Sequence, residues 1–239
     1  MDEQRMAIAY TLRRSRRRRR TVELSIDPAL GLIVAAPAKT PLSEIDGFLR
    51  RKARWIRKAL ENEREREQHL RRDLTSGEFL PYLGRAFTLS LVEAEPAGER
   101  AVLVRTCLEV SLAAGSSGEE RRSATIEALE AWYKAQARAT FLERVQCFVP
   151  LVGARAKDVR VRDQKTRWGS CGKDGTLYFS WQLIMAPPSV VDYLVVHELC
   201  HLRQPGHGHA FWALVAGVLP DYQQQRAALR RDGWRYRLS

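Results

Sequence analysis

Apolar and polar residues alternate in short runs near the start of the chain, and the apolar residues then recur with a helical period. The alternating runs at 7–12 and 21–36 predict short strands. From residue 41 onward, apolar positions fall three and four residues apart, which predicts one long helix over about 41–72. Further runs at 79–91 and 102–112 predict more strands, so the first half should be rich in β-structure around a single helix.

The glycine- and serine-rich segment at 115–118 separates this first half from a mainly helical second half. Such a segment is typical of a linker, so we predict a domain boundary there. The predicted domains are a β-rich N-terminal region, residues 1–115, and a second domain, residues 119–239. The elements predicted in the second domain are a helix over 123–148, strands at 159–161 and 176–183, a helix with Ser189 as its N-cap, and closing helices over 211–219 and 222–231.

The apolar segment after Ser189 contains the pattern His197-Glu198-Leu199-Cys200-His201. On a helix, residues four apart share one face, so His197 and His201 can bind one Zn²⁺. Glu198 follows the first histidine, where its carboxylate can act as a general base toward a water at the metal. Four of the five histidines in the chain lie between 197 and 209, which concentrates the possible ligands in one segment.

A third ligand is expected after Pro205 and Gly206, which should end this helix. His207 follows directly, and His209 lies two residues further and competes for the same role. The spacing favours His207. Three protein ligands with one open position are the arrangement of a catalytic zinc site, whereas structural zinc usually has four.

The charge of the chain points to a second kind of partner. It has 40 Lys and Arg against 28 Asp and Glu, and much of the excess lies at 13–20 and 50–72. Such a basic surface suits nucleic acid or another polyanion, although an arginine-rich solvated surface fits it equally well. No segment has the length and hydropathy of a membrane span or a secretory signal, and the four cysteines form no C-x-x-C pair, so we expect a cytoplasmic protein that does not enter a membrane.

Several motifs follow one another in the second domain: Arg-Trp-Gly-Ser-Cys at 167–171, Tyr193, Val-Val-His-Glu-Leu-Cys-His-Leu at 195–202, His207, Phe-Trp at 211–212 and Leu-Pro-Asp-Tyr at 219–222. Together they resemble the YgjP-like metallopeptidase family, which is related to the SprT-like zinc proteases. The resemblance implies an α+β fold with a zincin-like catalytic core of helices and a small mixed or antiparallel sheet, preceded by a β-rich region.

By the family motif, His197, His201 and His207 match the zinc ligands and Glu198 matches the general base. Two positions depart from the pattern. Ser180 stands where we expect an asparagine before the tryptophan, which leaves the role of that position open, and His209 is additional.

The leading hypothesis is a zinc metallopeptidase that acts on a peptide or protein. Arg167 or Tyr193 would stabilise the oxyanion, and the strand at 176–183, if it lies at a sheet edge beside the cleft, would pair with an extended peptide. Aromatic residues on and before this strand would contact the substrate: Trp168, Phe179 and Trp181.

Two alternatives stay open at this point. Arg167 and the basic surface also suit a metal-dependent nucleotide pyrophosphohydrolase or phosphoester hydrolase, although the chain has no glycine-rich phosphate loop. The third possibility is a nucleic-acid-associated protein that contains a zinc site. The oligomeric state is not predicted.

Overall fold

The computed structural model describes residues 9–15, 21–27, 31–70, 73–94, 100–164 and 167–238. Residues 7–8 of the first predicted strand and most of the arginine run lie outside these ranges. The chain divides into two compact units, Met1–Arg72 and Asp73–Ser239. Helices and small mixed sheets occur in the same units, so the fold is α+β, as predicted.

The first unit is a three-stranded sheet with one long helix. Its elements are β1 (Thr11–Ser15), β2 (Glu23–Asp27), β3 (Gly31–Pro37) and α1 (Leu42–Leu70). The strand order is β1-β3-β2, with β1 parallel and β2 antiparallel to the central strand. Its small core contains Leu32, Val34 and Ala36 from β3 with Ile45, Leu49 and Ile56 from α1. The antiparallel pair β2 and β3 matches the short strands predicted within 21–36, and the predicted helix is present.

The second unit begins with a four-stranded sheet: β4 (Phe79–Tyr82), β5 (Arg85–Glu93), β6 (Ala101–Val104) and β7 (Cys107–Leu112), in the order β4-β5-β7-β6. Our prediction of single strands at 79–91 and 102–112 was wrong, because a tight turn interrupts each run. Leu83 and Gly84 have φ values of 47° and 72°, and Arg105 has a φ of 55°. These left-handed conformations turn the backbone within an otherwise alternating apolar pattern, which the pattern itself does not reveal.

A long helix, α2 (Gly118–Val152), follows this sheet and packs on it. It starts five residues before the predicted start at 123, because the Glu120 side chain accepts a hydrogen bond from the backbone N–H of Ser117 and so caps an additional first turn. The segment 115–118 therefore connects β7 to α2 inside the second unit. The domain boundary predicted at 115–118 remains a prediction. The boundary between the two compact units lies after Arg72.

The next sheet contains β8 (Asp158–Arg162), β9 (Gly169–Cys171) and β10 (Thr176–Ser180), in the order β8-β10-β9. The strand predicted over 176–183 ends at Ser180, and the chain continues as a 3-10 helix over Trp181–Met185. β10 pairs with β8 on one side and with β9 on the other. The condition that this strand lies at an edge is therefore not met; in the described part of the chain, β8 and β9 are the edge strands of this sheet.

Three helices complete the unit: α3 (Pro188–His201), α4 (His209–Val218) and α5 (Tyr222–Asp232). The predicted N-cap Ser189 lies inside the first turn of α3, since the helix already begins at Pro188, whose fixed φ suits a first helical position. α3 is buried among its neighbours, and Arg144 of α2 donates two hydrogen bonds, of 2.6 and 2.9 Å, to the carboxylate of Asp192 on α3. Among the described residues, no helix has the length and apolar character needed to cross a bilayer.

Candidate metal centre

Three histidine side chains converge where α3 ends. α3 presents His197 and His201 on one face, and His207 approaches them from the loop before α4. The Nε2 atom of His197 lies 3.2 Å from Nε2 of His201 and 3.1 Å from Nε2 of His207. Zn–N bonds of about 2.0–2.1 Å place the nitrogens of a tetrahedral zinc site about 3.3 Å apart. The spacing of this histidine cluster therefore fits one metal ion.

The protonation of the cluster also suits a metal. Nδ1–H of His201 can donate to the backbone carbonyl of Gln204, at 3.1 Å, which leaves its Nε2 lone pair directed at the cluster. Burial, helped by the two neighbouring histidines, lowers the pKa of His197 to about 3. Burial also lowers the pKa of His201. Neutral imidazole is the form that binds metal ions, so both rings are ready to act as ligands near neutral pH.

Two aromatic side chains in the first turn of α4 support the cluster. The ring of Phe211 lies 4.5–4.9 Å from all three histidine rings, and Trp212 stacks at 5.7 Å on His207. Trp212 also stacks on Tyr222, with 5.2 Å between the ring centroids. The guanidinium of Arg226 lies 4.4 Å from the centroid of the Trp212 ring. These contacts orient His207, which lies on an exposed loop. We did not predict site roles for Phe211, Trp212 or Arg226; for the first two, the available signal was the Phe-Trp motif that follows His207.

Glu198 lies beside the cluster and is nearly enclosed. Its residue is 4% exposed, and the backbone of β9 passes directly over it. A Cβ atom at Gly169 would lie only 2.7 Å from Oε1 of Glu198, so a larger residue there would force the Glu198 side chain to move. Burial raises the pKa of Glu198 to about 8, and the positive charge of Arg167 acts in the opposite direction. A buried carboxyl group next to three imidazoles, with a pKa near neutrality, is suited to exchanging a proton.

A cleft of about 810 Å³ opens onto these groups. The metal cleft is lined by the three histidines and Glu198, by Leu202 and Pro205 after α3, and by the continuous segment 169–175. This segment consists of β9 and the turn that leads to β10, so one strand edge borders the whole site.

The other predicted site residues are placed differently. Arg167 is exposed next to β9 and acts electrostatically on Glu198. Tyr193 is 4% exposed, with its ring 5.8 Å from that of His197, and does not line the metal cleft. His209 begins α4 and is not part of the histidine cluster.

The three aromatic residues predicted to contact substrate do not line the metal cleft. Phe179 is fully buried and stacks at 4.5 Å on Phe141 of α2, and Trp181 is 1% exposed. Trp168 is half-buried and packs edge-on against Tyr236, with the guanidinium of Arg237 5.3 Å from its ring centroid. Phe179 and Trp181 therefore occupy core positions, which an alternating apolar pattern also marks, and the substrate contacts of the three aromatic residues remain predictions.

The family model described as YgjP-like, metallopeptidase domain, matches residues 20–232. The crystal structure of the metallopeptidase zymogen of Pyrococcus abyssi abylysin is similar at 21% identity, covering 38% of this chain and 93% of that chain, with a TM-score of 0.35. A search of curated proteins gives no significant match. The family match spans most of the sequence, and the chain belongs to the YgjP-like metallopeptidase family.

Proposed function

We propose that the protein is a zinc-dependent peptidase in which His197, His201 and His207 bind the metal and Glu198 is the general base. One observation carries this proposal: three Nε2 atoms converge at the spacing of zinc ligands beside a buried carboxyl group. Among the described residues, these histidines form the only group of three or more His, Cys, Asp or Glu side chains placed to hold a metal.

The chain's own residues have separate tasks in this mechanism. A bound zinc ion would act as a Lewis acid toward the scissile carbonyl and lower the pKa of a coordinated water to about 7. Glu198 takes a proton from the attacking water and delivers it to the leaving amine nitrogen. Its enclosure under Gly169 holds the carboxylate in one position, which favours this transfer.

Arg167 is the better placed of the two residues predicted to stabilise the oxyanion. It is exposed and acts electrostatically on Glu198, so its guanidinium can approach a substrate at the metal cleft. Tyr193 is buried and its ring lies 5.8 Å from that of His197, so its hydroxyl is less free to reach a substrate oxygen than an exposed guanidinium is. A guanidinium near the reacting carbonyl would stabilise the negative charge that develops on its oxygen.

The substrate backbone would be bound by β9. Consecutive residues of a strand point to opposite faces, yet Gly169, Ser170 and Cys171 all line the metal cleft, so the cleft runs along the strand edge. β10 occupies the other edge of β9. An extended peptide can therefore pair with β9, and this strand takes the role that we first assigned to 176–183.

No specific observation favours the alternative of a nucleotide or phosphoester hydrolase. In the described part of the chain, the histidine cluster is the only group of three or more side chains placed to hold a metal. It contains no carboxylate, which is the ligand that Mg²⁺ requires. Nucleic-acid binding through the arginine-rich surface remains a prediction, to be measured by the salt dependence of binding.

Metal removal tests the proposed activity. Treating the purified chain with 1,10-phenanthroline is expected to abolish cleavage of an unfolded protein such as reduced casein, because the metal is needed to activate water. One equivalent of Zn²⁺ should restore cleavage, whereas Mg²⁺ should not. Cleavage that persists after complete metal removal would contradict the proposal, as would hydrolysis of nucleotides without any of peptides.

Gly169→Ala should impair turnover without removing the metal. The added methyl group would meet Oε1 of Glu198 at 2.7 Å and displace the carboxylate, and a shift of this size is expected to lower kcat by about 10- to 100-fold. The measurement is kcat together with zinc content. Gly217→Ala is the matched control, because a Cβ there meets nothing within 4 Å. Equal activity of both variants would show that the position of Glu198 is unimportant.

A further inference from the structure

A second groove, separate from the metal cleft, follows the opposite edge of the same sheet. This β8 groove has a volume of about 770 Å³ and is lined by Lys134, Ala135 and Arg138 of α2, by the continuous segment 158–163, and by Trp181. In the strand order β8-β10-β9, two strand spacings, or about 10 Å, separate β8 from the edge that borders the histidine cluster.

The groove exposes the backbone of β8 as well as its side chains. All five residues of β8 line it, although consecutive residues of a strand point to opposite faces. The groove must therefore run along the strand edge. β8 pairs with β10 on one side, and no strand in the described part of the chain pairs with its other side. A row of backbone N–H and C=O groups at such an edge can accept one more strand.

The side chains around this edge are mainly basic. Four basic residues line the groove, Lys134, Arg138, Arg160 and Arg162, against two acidic ones. Lys134 pairs with Glu130 and Arg160 with Asp158, each at 2.7 Å. Among the described residues, Arg138 and Arg162 have no carboxylate within ion-pair distance, and both are exposed. They stand on the two walls of the groove, one on α2 and one on β8, so an acidic occupant would meet a positive charge on each side.

The groove wall also contains a buried donor without an acceptor. Trp181 is 1% exposed, and its indole Nε1–H has no hydrogen-bond partner among the described residues. Leaving such a donor unpaired is unfavourable by about 1–3 kcal/mol, and because the Nε1 atom itself is enclosed, an occupant of the groove could reach it only after the indole ring shifts.

We propose that the β8 groove is a docking site for an extended acidic peptide segment, which adds to β8 as a further strand with its carboxylates toward Arg138 and Arg162. The free strand edge selects a polypeptide over a nucleic acid, because the backbone groups of β8 pair with the alternating N–H and C=O groups of another strand. The site goes beyond the proposed peptidase activity and does not depend on it, since none of its residues lines the metal cleft.

The probe is a fluorescein-labelled octapeptide of glutamate pairs alternating with valine pairs, which presents carboxylates on both faces of an extended strand. It is titrated with the purified 239-residue chain by fluorescence anisotropy. At about 3.3 Å per residue it is longer than the five residues of β8. We expect saturable binding, weakened about tenfold by Arg138→Glu and by Arg162→Glu, because each change replaces an attraction with a repulsion. The peptide with lysine in place of glutamate should not bind.

Two variants and two modified peptides locate the binding site. Arg105→Glu makes the same charge change at an exposed turn outside the groove, and Lys173→Glu makes it at the metal cleft; neither should weaken binding. Two octapeptides, one N-methylated at the odd residues and one at the even residues, test the backbone pairing. The peptide whose methyl groups lie on the edge that pairs with β8 should lose binding, and the other peptide should keep it.

Several results would overturn the docking site. These are the absence of saturable binding, equal binding by both N-methylated peptides and the unmodified one, and a loss caused by Lys173→Glu instead of the groove variants. Tighter binding of an eight-nucleotide oligothymidylate that depends on the same two arginines would show a polyanion site in place of a strand-pairing one.

Discussion

Glu198→Gln is expected to abolish peptide hydrolysis while the protein still binds one zinc ion. Glutamine keeps the size of the side chain but cannot accept a proton, so the attacking water loses its base. General-base catalysis contributes about 10²- to 10⁴-fold, and kcat should fall by that factor. The measurement combines kcat on an unfolded protein substrate with zinc stoichiometry by mass spectrometry.

The fold should tolerate this change. Glu198 is buried, and burial raises the pKa of its carboxyl group to about 8, so a neutral amide of the same shape fits the site. The melting temperature should therefore not fall. Glu127→Gln is the matched control, since Glu127 is exposed and pairs only loosely with Arg100, at 3.5 Å. Retained turnover in Glu198→Gln would exclude Glu198 as the base.

His207→Ala should weaken zinc binding strongly, whereas His209→Ala should leave it unchanged. Nε2 of His207 lies 3.1 Å from Nε2 of His197 inside the cluster, and His209 is not part of it. Loss of one of three ligands should lower zinc affinity at least about a hundredfold, because loss of an outer-shell partner alone has an effect of about 10- to 100-fold. Competition with a fluorescent chelator measures the affinity.

The comparison is well matched because both histidines are exposed and only two residues apart. His207→Ala also removes a ring that packs on Phe211 and Trp212, so the melting temperature of the metal-free variants is measured as well, to separate lost ligation from lost packing. Unchanged affinity in His207→Ala, or a loss confined to His209→Ala, would mean that the third ligand is misassigned and that the open catalytic site must be reconsidered.

Helices and ligand spacing could be predicted because both depend on local geometry. The long helix α1 and the helix that contains His197 and His201 follow from apolar residues three and four apart, and four-residue spacing itself puts two imidazoles on one face. The presence of His207 in the cluster agrees with the spacing argument, since Pro205 and Gly206 separate it from the helix and let the chain turn back.

The strands were predicted less well because their position depends on pairing between distant segments. An alternating apolar run does not reveal the turns at Leu83 and Arg105, which require left-handed backbone conformations. The pattern in 176–183 also could not show that β10 is the central strand. A central strand is buried on both sides, which explains why Phe179 belongs to the core and not to a substrate site.

The sequence by itself determined the family and the chemistry that we propose: three histidines as candidate ligands, two of them at helical spacing, and a carboxyl group beside the first histidine. Only the tertiary structure decided where that chemistry is exposed. It placed the backbone at Gly169 against Glu198 and put Phe211 and Trp212 behind the histidines. Within the described part of the chain, it also made β9 and β8 the edge strands of their sheet. The physical reason is range: helical spacing is set within four residues, whereas strand order, burial and the enclosure of a carboxyl group depend on contacts between segments tens of residues apart.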